Sequence, residues 1–196
     1  EQSVSGGGLN LLLSTRLGEQ PSPEIPGEEM KIEEELIRLL SNFEDGNEIK
    51  PEFTVNGSCK RGKREFGHIV HVEVETDSNV NKELIIEQWK KTSPSICDGL
   101  PSSPNPHIII KKSINPNKDR WAGSSNNIHN PNENLQSGMS IVVTIPEISG
   151  NKIRWSAYSE NTIRGAAGGC VLLAEIDSVK RGLFQISSSG EGYNQL

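Results

Sequence analysis

An α+β fold, with a mixed, largely antiparallel sheet covered by helices, is what this sequence predicts. Three observations carry that expectation. Residues 68–76 alternate strictly, Val70, Val72 and Val74 lying on one parity, as a half-buried strand does. Residues 28–42 instead repeat their apolar positions at helical spacing, through Ile32, Leu36, Leu39 and Leu40. Ser149-Gly150-Asn151 then sits between two apolar runs as a hairpin turn signal, so helices and hairpin-linked strands are mixed in one layered domain.

Taken in order, residues 9–27 are apolar and then proline-rich, and read as irregular structure with room for a short helix. The 28–42 helix has acidic residues crowding its first turns, which suits the helix dipole, and Asn42 as its terminator. Phe53–Ser58 reads as a short strand. In the 68–76 strand His68 shares the parity of the valines and points inward at the strand's end, whereas His71 has the opposite parity and meets solvent. Asn81–Thr92 is a second helix carrying Leu84, Ile85 and Trp89, and Ser93–Pro106 is a Ser/Pro loop. His107–Lys112 is a buried strand centred on Ile108-Ile109-Ile110. Ser113–Gly138 is a long Asn-rich loop of the kind that covers a site or reaches across a subunit boundary, the rival being disorder. Met139–Pro146 and Lys152–Ser159 are strands. Thr162–Gly182 is a helix opening on Gly165-Ala166-Ala167-Gly168-Gly169, where small residues cost helix propensity and imply a close approach.

The chain has 196 residues, enough for one domain with a real core. Its net charge of −6 argues against nucleic acid or an anionic membrane surface as the main partner. Three cysteines, Cys59, Cys97 and Cys170, are an odd number without framework spacing, which points to a reduced, cytoplasmic setting. No apolar run approaches membrane-spanning length, and Leu11-Leu12-Leu13 is too short for a signal peptide. The sequence opens at Glu1 and soon enters Ser5-Gly6-Gly7-Gly8, a turn that usually joins two elements, so the chain is expected to be one part of a longer protein.

The stretch richest in chemistry is Cys59-Lys60-Arg61 followed by Gly67-His68. Arg61 is a permanent fork of donors suited to a carboxylate or phosphate, and His68 can give or take a proton near neutral pH. Together they point to an anionic substrate and acid/base chemistry; the rival readings are a solvated basic loop and a structural histidine. His107 and His129 lack metal-ligand spacing and are expected to be structural or superficial, so no metal is expected.

Four segments in one order resemble the C-terminal half of aspartate-semialdehyde dehydrogenases of the archaeal and fungal branch. They are Gln2-Ser3-Val4-Ser5-Gly6-Gly7-Gly8, Gly27-Glu28-Glu29-Met30-Lys31, Cys59-x-Arg61 through Gly67-His68, and Ser159-Glu160-Asn161-Thr162-Ile163-Arg164-Gly165-Ala166-Ala167-Gly168. The resemblance spans residues 1 to about 184, leaving 185–196 as a tail. It implies the substrate-binding and dimerisation domain of that family, with a fold like the C-terminal domain of semialdehyde and glyceraldehyde-phosphate dehydrogenases. It also implies a homodimer, and an N-terminal half, absent here, that binds most of the NADP and carries the nucleophilic cysteine.

The implied reaction is NADPH-dependent reduction of L-aspartyl 4-phosphate, a small acyl phosphate, to L-aspartate 4-semialdehyde, serving lysine, threonine and methionine synthesis. Under the resemblance His68 is the acid/base, Gln2 orients the acyl group and Arg61 clamps the α-carboxylate. Lys31, with Glu28, sits near the phosphate, while Ser5, Gly6 and Asn161 approach the cofactor; a helix cap is the rival for Asn161. The resemblance departs at Gly62-Lys63-Arg64, where the family has apolar residues and a proline, and at Ile69, where it has a small residue. Cys59 belongs to the motif but is expected to pack as a small apolar residue. The alternatives are a related acyl reductase, such as malonyl-CoA reductase, and a non-catalytic dimerisation or interaction module.

Overall fold

Helical spacing and strand alternation sort into two units in the computed structural model, Glu1–Arg64 and Glu65–Leu196, which describes residues 1–124, 129–185 and 194–195. In the N-terminal unit a 3₁₀ turn, Val4–Gly7, runs into α1, Gly8–Arg16, and the acidic segment forms α2, Glu28–Leu39. The helix stops at Leu39 rather than Asn42, because Asn42 opens a strand: β1, Asn42–Glu44, pairs antiparallel with β2, Asn47–Ile49. The turn between them places Asp45 at φ 49° and Gly46 at φ 80°, the left-handed pair that a two-residue hairpin needs. Sequence alternation missed this hairpin, although Asp-Gly is its usual signal.

The expected strand over Phe53–Ser58 does not form. Its backbone donors go elsewhere: Gly57 N–H donates to Glu33 Oε1 at 2.8 Å and Cys59 N–H to Glu29 Oε1 at 2.9 Å. Glu29 and Glu33 are one turn apart on α2, so a row of carboxylates grips the segment in place of a neighbouring strand.

In the C-terminal unit the sheet is built from β3, His68–Glu75; β4, Ile108–Lys111; β5, Ile141–Thr144; β6, Glu147–Ser149; and β7, Lys152–Ser159. Their order is β3-β7-β5-β4, with β6 also on β7. Every pairing is antiparallel except β4 with β5, which is parallel, so the sheet is mixed as expected. The hairpin turn at 149–151 is present, with β6 as its first arm.

Register places His68 opposite Ser159, Val72 opposite Trp155 and Val74 opposite Ile153, so β3 and β7 contribute to a common apolar face. Over it lies α3, Lys82–Lys91, whose Asn81 cap accepts from Leu84 N–H at 3.0 Å. Trp89 meets Trp155 edge to face, centroids 5.6 Å apart, a contact worth about 1 kcal/mol beyond its buried area. Met139, Val142, Val143, Ile153, Tyr158 and Ile163 form the core. Cover is incomplete: Val70, expected inside, is 53 % exposed. His71 meets solvent as expected, with Nδ1 2.8 Å from Ser156 Oγ.

The long loop begins with a single helical turn, α4, Pro116–Asp119. Buried Asp119 accepts from Asn115 N–H at 2.7 Å and pairs with Lys111. Ile128 of the same loop lies outside the described residues. The helix expected over Thr162–Gly182 opens instead with a π turn, Ile163–Ala167, before α5, Gly168–Lys180. Close approach explains the small residues, since a Cβ on Gly168 would fall 2.5 Å from Met139 Sδ. After α5, β8, Phe184–Gln185, pairs with β9, Asn194–Gln195; the rest of the expected tail lies outside the described residues.

Candidate functional site

Gln2 and Arg61 are brought into register by backbone pairing. Gln2 N–H donates to Lys60 C=O at 2.9 Å, Gly62 N–H returns to Gln2 C=O at 2.7 Å, and Val4 N–H reaches Arg64 C=O at 2.7 Å. The glutamine motif and the Cys-x-Arg motif are therefore neighbours despite nearly 60 intervening residues. From this pairing the Gln2 side chain donates to Glu28 Oε1 at 2.6 Å, and the Arg61 guanidinium donates to Ser3 C=O at 3.1 Å. Arg61 is further fixed by its N–H to Pro23 C=O at 2.8 Å. Ser5 and Gly6 lie in the adjacent 3₁₀ turn, with Ser5 Oγ 3.0 Å from Ser3 Oγ. Lys31 is exposed in the first turn of α2, where an ammonium opposes the helix dipole unless an anion is near.

Cys59 is buried at the centre of this arrangement and free. Burial pushes its thiol up, assisted by Glu28 and Glu29 and opposed by the terminal amine and Arg61. A thiol held protonated is a poor nucleophile, in keeping with the packing role expected of it.

The C-terminal unit holds His68 and Asn161. His68 is half-buried at the first position of β3. The residue before it, Gly67, has φ +80°, and a Cβ there would fall 2.2 Å from the Tyr158 ring; only glycine fits. Gly67 N–H donates to Asn161 Oδ1 at 2.8 Å. Asn161 follows the end of β7, and next to it Glu160 is buried. Its carboxylate accepts from Ile163 N–H at 2.7 Å and Thr162 Oγ1 at 2.8 Å, and faces Arg120 Nε at 3.7 Å.

Arg120 and Phe66 escaped the sequence reading, as did the pairing of Glu160. The Arg120 guanidinium carbon sits 3.8 Å over the Phe66 ring and 4.6 Å from that of Trp121, cation–π geometry. Asp119-Arg120-Trp121, one cluster of charge and ring in an Asn-rich loop, was the available signal. Trp121 belongs to the loop expected to cover a site or reach across a subunit boundary; its ring faces Arg120 within its own unit.

Beneath α5 is a second buried group. Arg164 donates to Met139 C=O, and burial pushes it below the usual guanidinium range. Cys97 is buried and its thiol pushed up by that burial. His107, its Nε2 3.3 Å from Ser103 Oγ, is held below the usual imidazole value by burial and then by the Arg164 charge. It is structural, as expected, and His129 is exposed. Among the described residues no group of acidic, histidine or cysteine side chains is placed to hold a metal ion, and no helix is long and apolar enough to cross a membrane.

No family model matches the chain. In sequence it is 33 % identical over 180 residues to an aspartate-semialdehyde dehydrogenase of Archaeoglobus fulgidus, covering 89 % of this chain and 48 % of that protein. It is 32 % identical over 184 residues to a malonyl-CoA reductase (NADP) of Metallosphaera sedula, with 89 % and 48 % covered. In fold it is similar to an aspartate-semialdehyde dehydrogenase with NADP from Candida albicans, at a TM-score of 0.65 and 22 % identity, covering 82 % of this chain and 44 % of that one. The chain thus spans about half the length of the relatives it matches.

Proposed function

We infer that this chain, a relative of the aspartate-semialdehyde dehydrogenases along about half their length, is the substrate-gripping and dimer-forming half of such an enzyme. The reaction is NADPH-dependent reductive dephosphorylation of L-aspartyl 4-phosphate to L-aspartate 4-semialdehyde, towards lysine, threonine and methionine in the cytoplasm. The observation that carries this reading is the register of Gln2 with Arg61, beside the Gln2–Glu28 hydrogen bond. It gathers residues of three separated motifs at one place in the N-terminal unit.

Arg61 binds the substrate α-carboxylate as a two-toothed pair, which sets angle as well as position. Gln2 orients the acyl oxygen, its amide already held by Glu28. Lys31 neutralises the phosphate, whose charge also relieves the ammonium of its conflict with the α2 dipole. His68 donates and accepts the proton at the reacting carbonyl. NADPH, when bound, supplies a hydride. Ser5, Gly6 and Asn161 are assigned to it on the resemblance; the exposed glycine turn after Ser5 leaves room for a flat ring, which fits such a group. The thiolate nucleophile is assigned, on the resemblance, to a cysteine that precedes the Gln2 motif in the family, a place that none of Cys59, Cys97 and Cys170 takes.

The homodimer is assigned to the 139–158 hairpin and the 113–138 loop, beside the polar face of the sheet. On that face Glu73 pairs with Arg154 and Glu75 with Lys152 at 3.3 Å, so rows of opposite charge lie side by side and complement themselves about a two-fold axis.

The test is substrate-dependent NADPH oxidation by the longer protein that includes this chain. His68→Ala is expected to lower kcat by about 10²–10⁴-fold, and Arg61→Lys mainly to raise KM. The 196-residue chain alone is expected to oxidise no NADPH. The likeness to a malonyl-CoA reductase favours a second reading, an acyl-CoA substrate. Turnover of malonyl-CoA without turnover of the acyl phosphate would select it. Full activity in both variants would leave the interaction module.

A further inference from the structure

We propose that Asn161, backed by the Glu160–Arg120 pair, is the positioning residue that sets the angle of His68; the proposal deepens the reading of His68 as acid/base and rests on it. The contacts close a loop around the start of β3. Arg120 stacks on Phe66, two residues before His68, at 3.8 Å. The same guanidinium faces buried Glu160 at 3.7 Å. Glu160 fixes the turn that follows β7 by accepting from Ile163 N–H at 2.7 Å. That turn presents Asn161, whose Oδ1 takes the N–H of Gly67 at 2.8 Å. Phe66 and Gly67 are thereby held from both ends of one chain of contacts.

The network is more than a turn cap. A carboxylate with a side-chain exposure of 1 % is costly to bury and survives only when charge and hydrogen bonds offset it. Here it fixes the turn that carries Asn161, whose side chain holds the Gly67 N–H. Gly67 adds a second constraint, because its left-handed φ and its contact with Tyr158 allow the backbone a single path. The β3–β7 ladder begins only at His68, opposite Ser159, so the approach through Phe66 and Gly67 is held by these contacts. The backbone that carries the His68 imidazole therefore enters β3 along a path set in part by the 160–161 turn.

The experiment is NMR on the 196-residue chain, reading amide exchange at Gly67 and the ring proton chemical shifts of His68 and His71. In Asn161→Ala, Gly67 exchange is expected to rise about fivefold or more as its acceptor is lost. The His68 ring signals are expected to move from their parent positions, while those of His71 stay. Asn161→Asp keeps an acceptor and holds Gly67 exchange within about threefold of the parent. Arg120→Lys keeps the charge but loses the stack, and moves both readouts in the direction of Asn161→Ala by less. Parent-like Gly67 exchange and His68 ring shifts in Asn161→Ala overturn the proposal. If that variant does not fold, parent-like values in Arg120→Lys overturn it. In the longer enzyme Asn161→Ala should lower kcat and displace its pH profile with the KM for the acyl phosphate little changed. An unaffected His68→Ala enzyme would sink the acid/base reading and leave the NMR result to decide the positioning by itself.

Discussion

The two units achieve order by different means. The C-terminal unit buries Met139, Val142, Tyr158 and Ile163 between a sheet and its helices, so its shape follows from apolar packing. The N-terminal unit buries little beyond Val4, Leu12 and Cys59, while Leu17, Leu39, Leu40 and Phe43 stay exposed. It relies on backbone pairing at Gln2–Arg61 and on carboxylates that hold backbone N–H groups. Hydrogen bonds contribute about 1 kcal/mol each, against 2–5 kcal/mol lost when a large core side chain is truncated. The residues assigned to gripping substrate therefore lie on the more loosely secured unit, and the proposed proton donor on the rigid one.

The largest expected effect that tests this contrast is at Gly67. Gly67→Ala combines a left-handed φ with overlap of the Tyr158 ring, and should cost the C-terminal unit about 3 kcal/mol or more in urea unfolding followed by tryptophan fluorescence. A loss near zero would mean that this packing is not rigid. Glu160→Ala leaves Arg120 without its carboxylate and the turn without its cap, at about 3 kcal/mol in the same assay.

In the N-terminal unit Glu33→Ala should cost only about 1–2 kcal/mol, seen as faster exchange at Gly57 with exchange in β5 and β7 unchanged. An equal response in those strands would break the distinction between the units.

The smallest effect concerns pH. His107 has its pKa lowered in the folded state from 6.5, so the unfolded chain binds the proton more readily. Stability is present above about pH 6.5 and is lost as pH falls below it. His107→Gln should flatten that slope below about pH 6.5, measured as the urea midpoint of the C-terminal unit.

Much of the C-terminal unit was legible in the chain. The strict alternation at 68–75, the turn at 149–151 and the Asn81 cap each name their element, because period and local hydrogen bonding are properties of neighbouring residues. The Phe53–Ser58 strand failed for the opposite reason. Its local pattern suits a strand, but its donors are claimed by Glu29 and Glu33, 24 or more residues away. Among site residues, Arg61, His68 and Gln2 stood out by chemistry and by motif order. Arg120 and Glu160 did not, since a surface-loop arginine and a glutamate beside a turn look ordinary until Phe66 and the π turn are placed against them.

The sequence by itself determined the α+β class, the main strands and helices, and the kinship with semialdehyde dehydrogenases, because these rest on periodicity and on residue types in a fixed order. Only the tertiary structure decided which distant groups share a hydrogen bond. It paired Gln2 with Arg61, committed Asn161 to Gly67, and placed Glu160 against Arg120. Such partners depend on how separate segments fold back on one another, and no local pattern encodes the distance between two groups 40 or more residues apart in the chain.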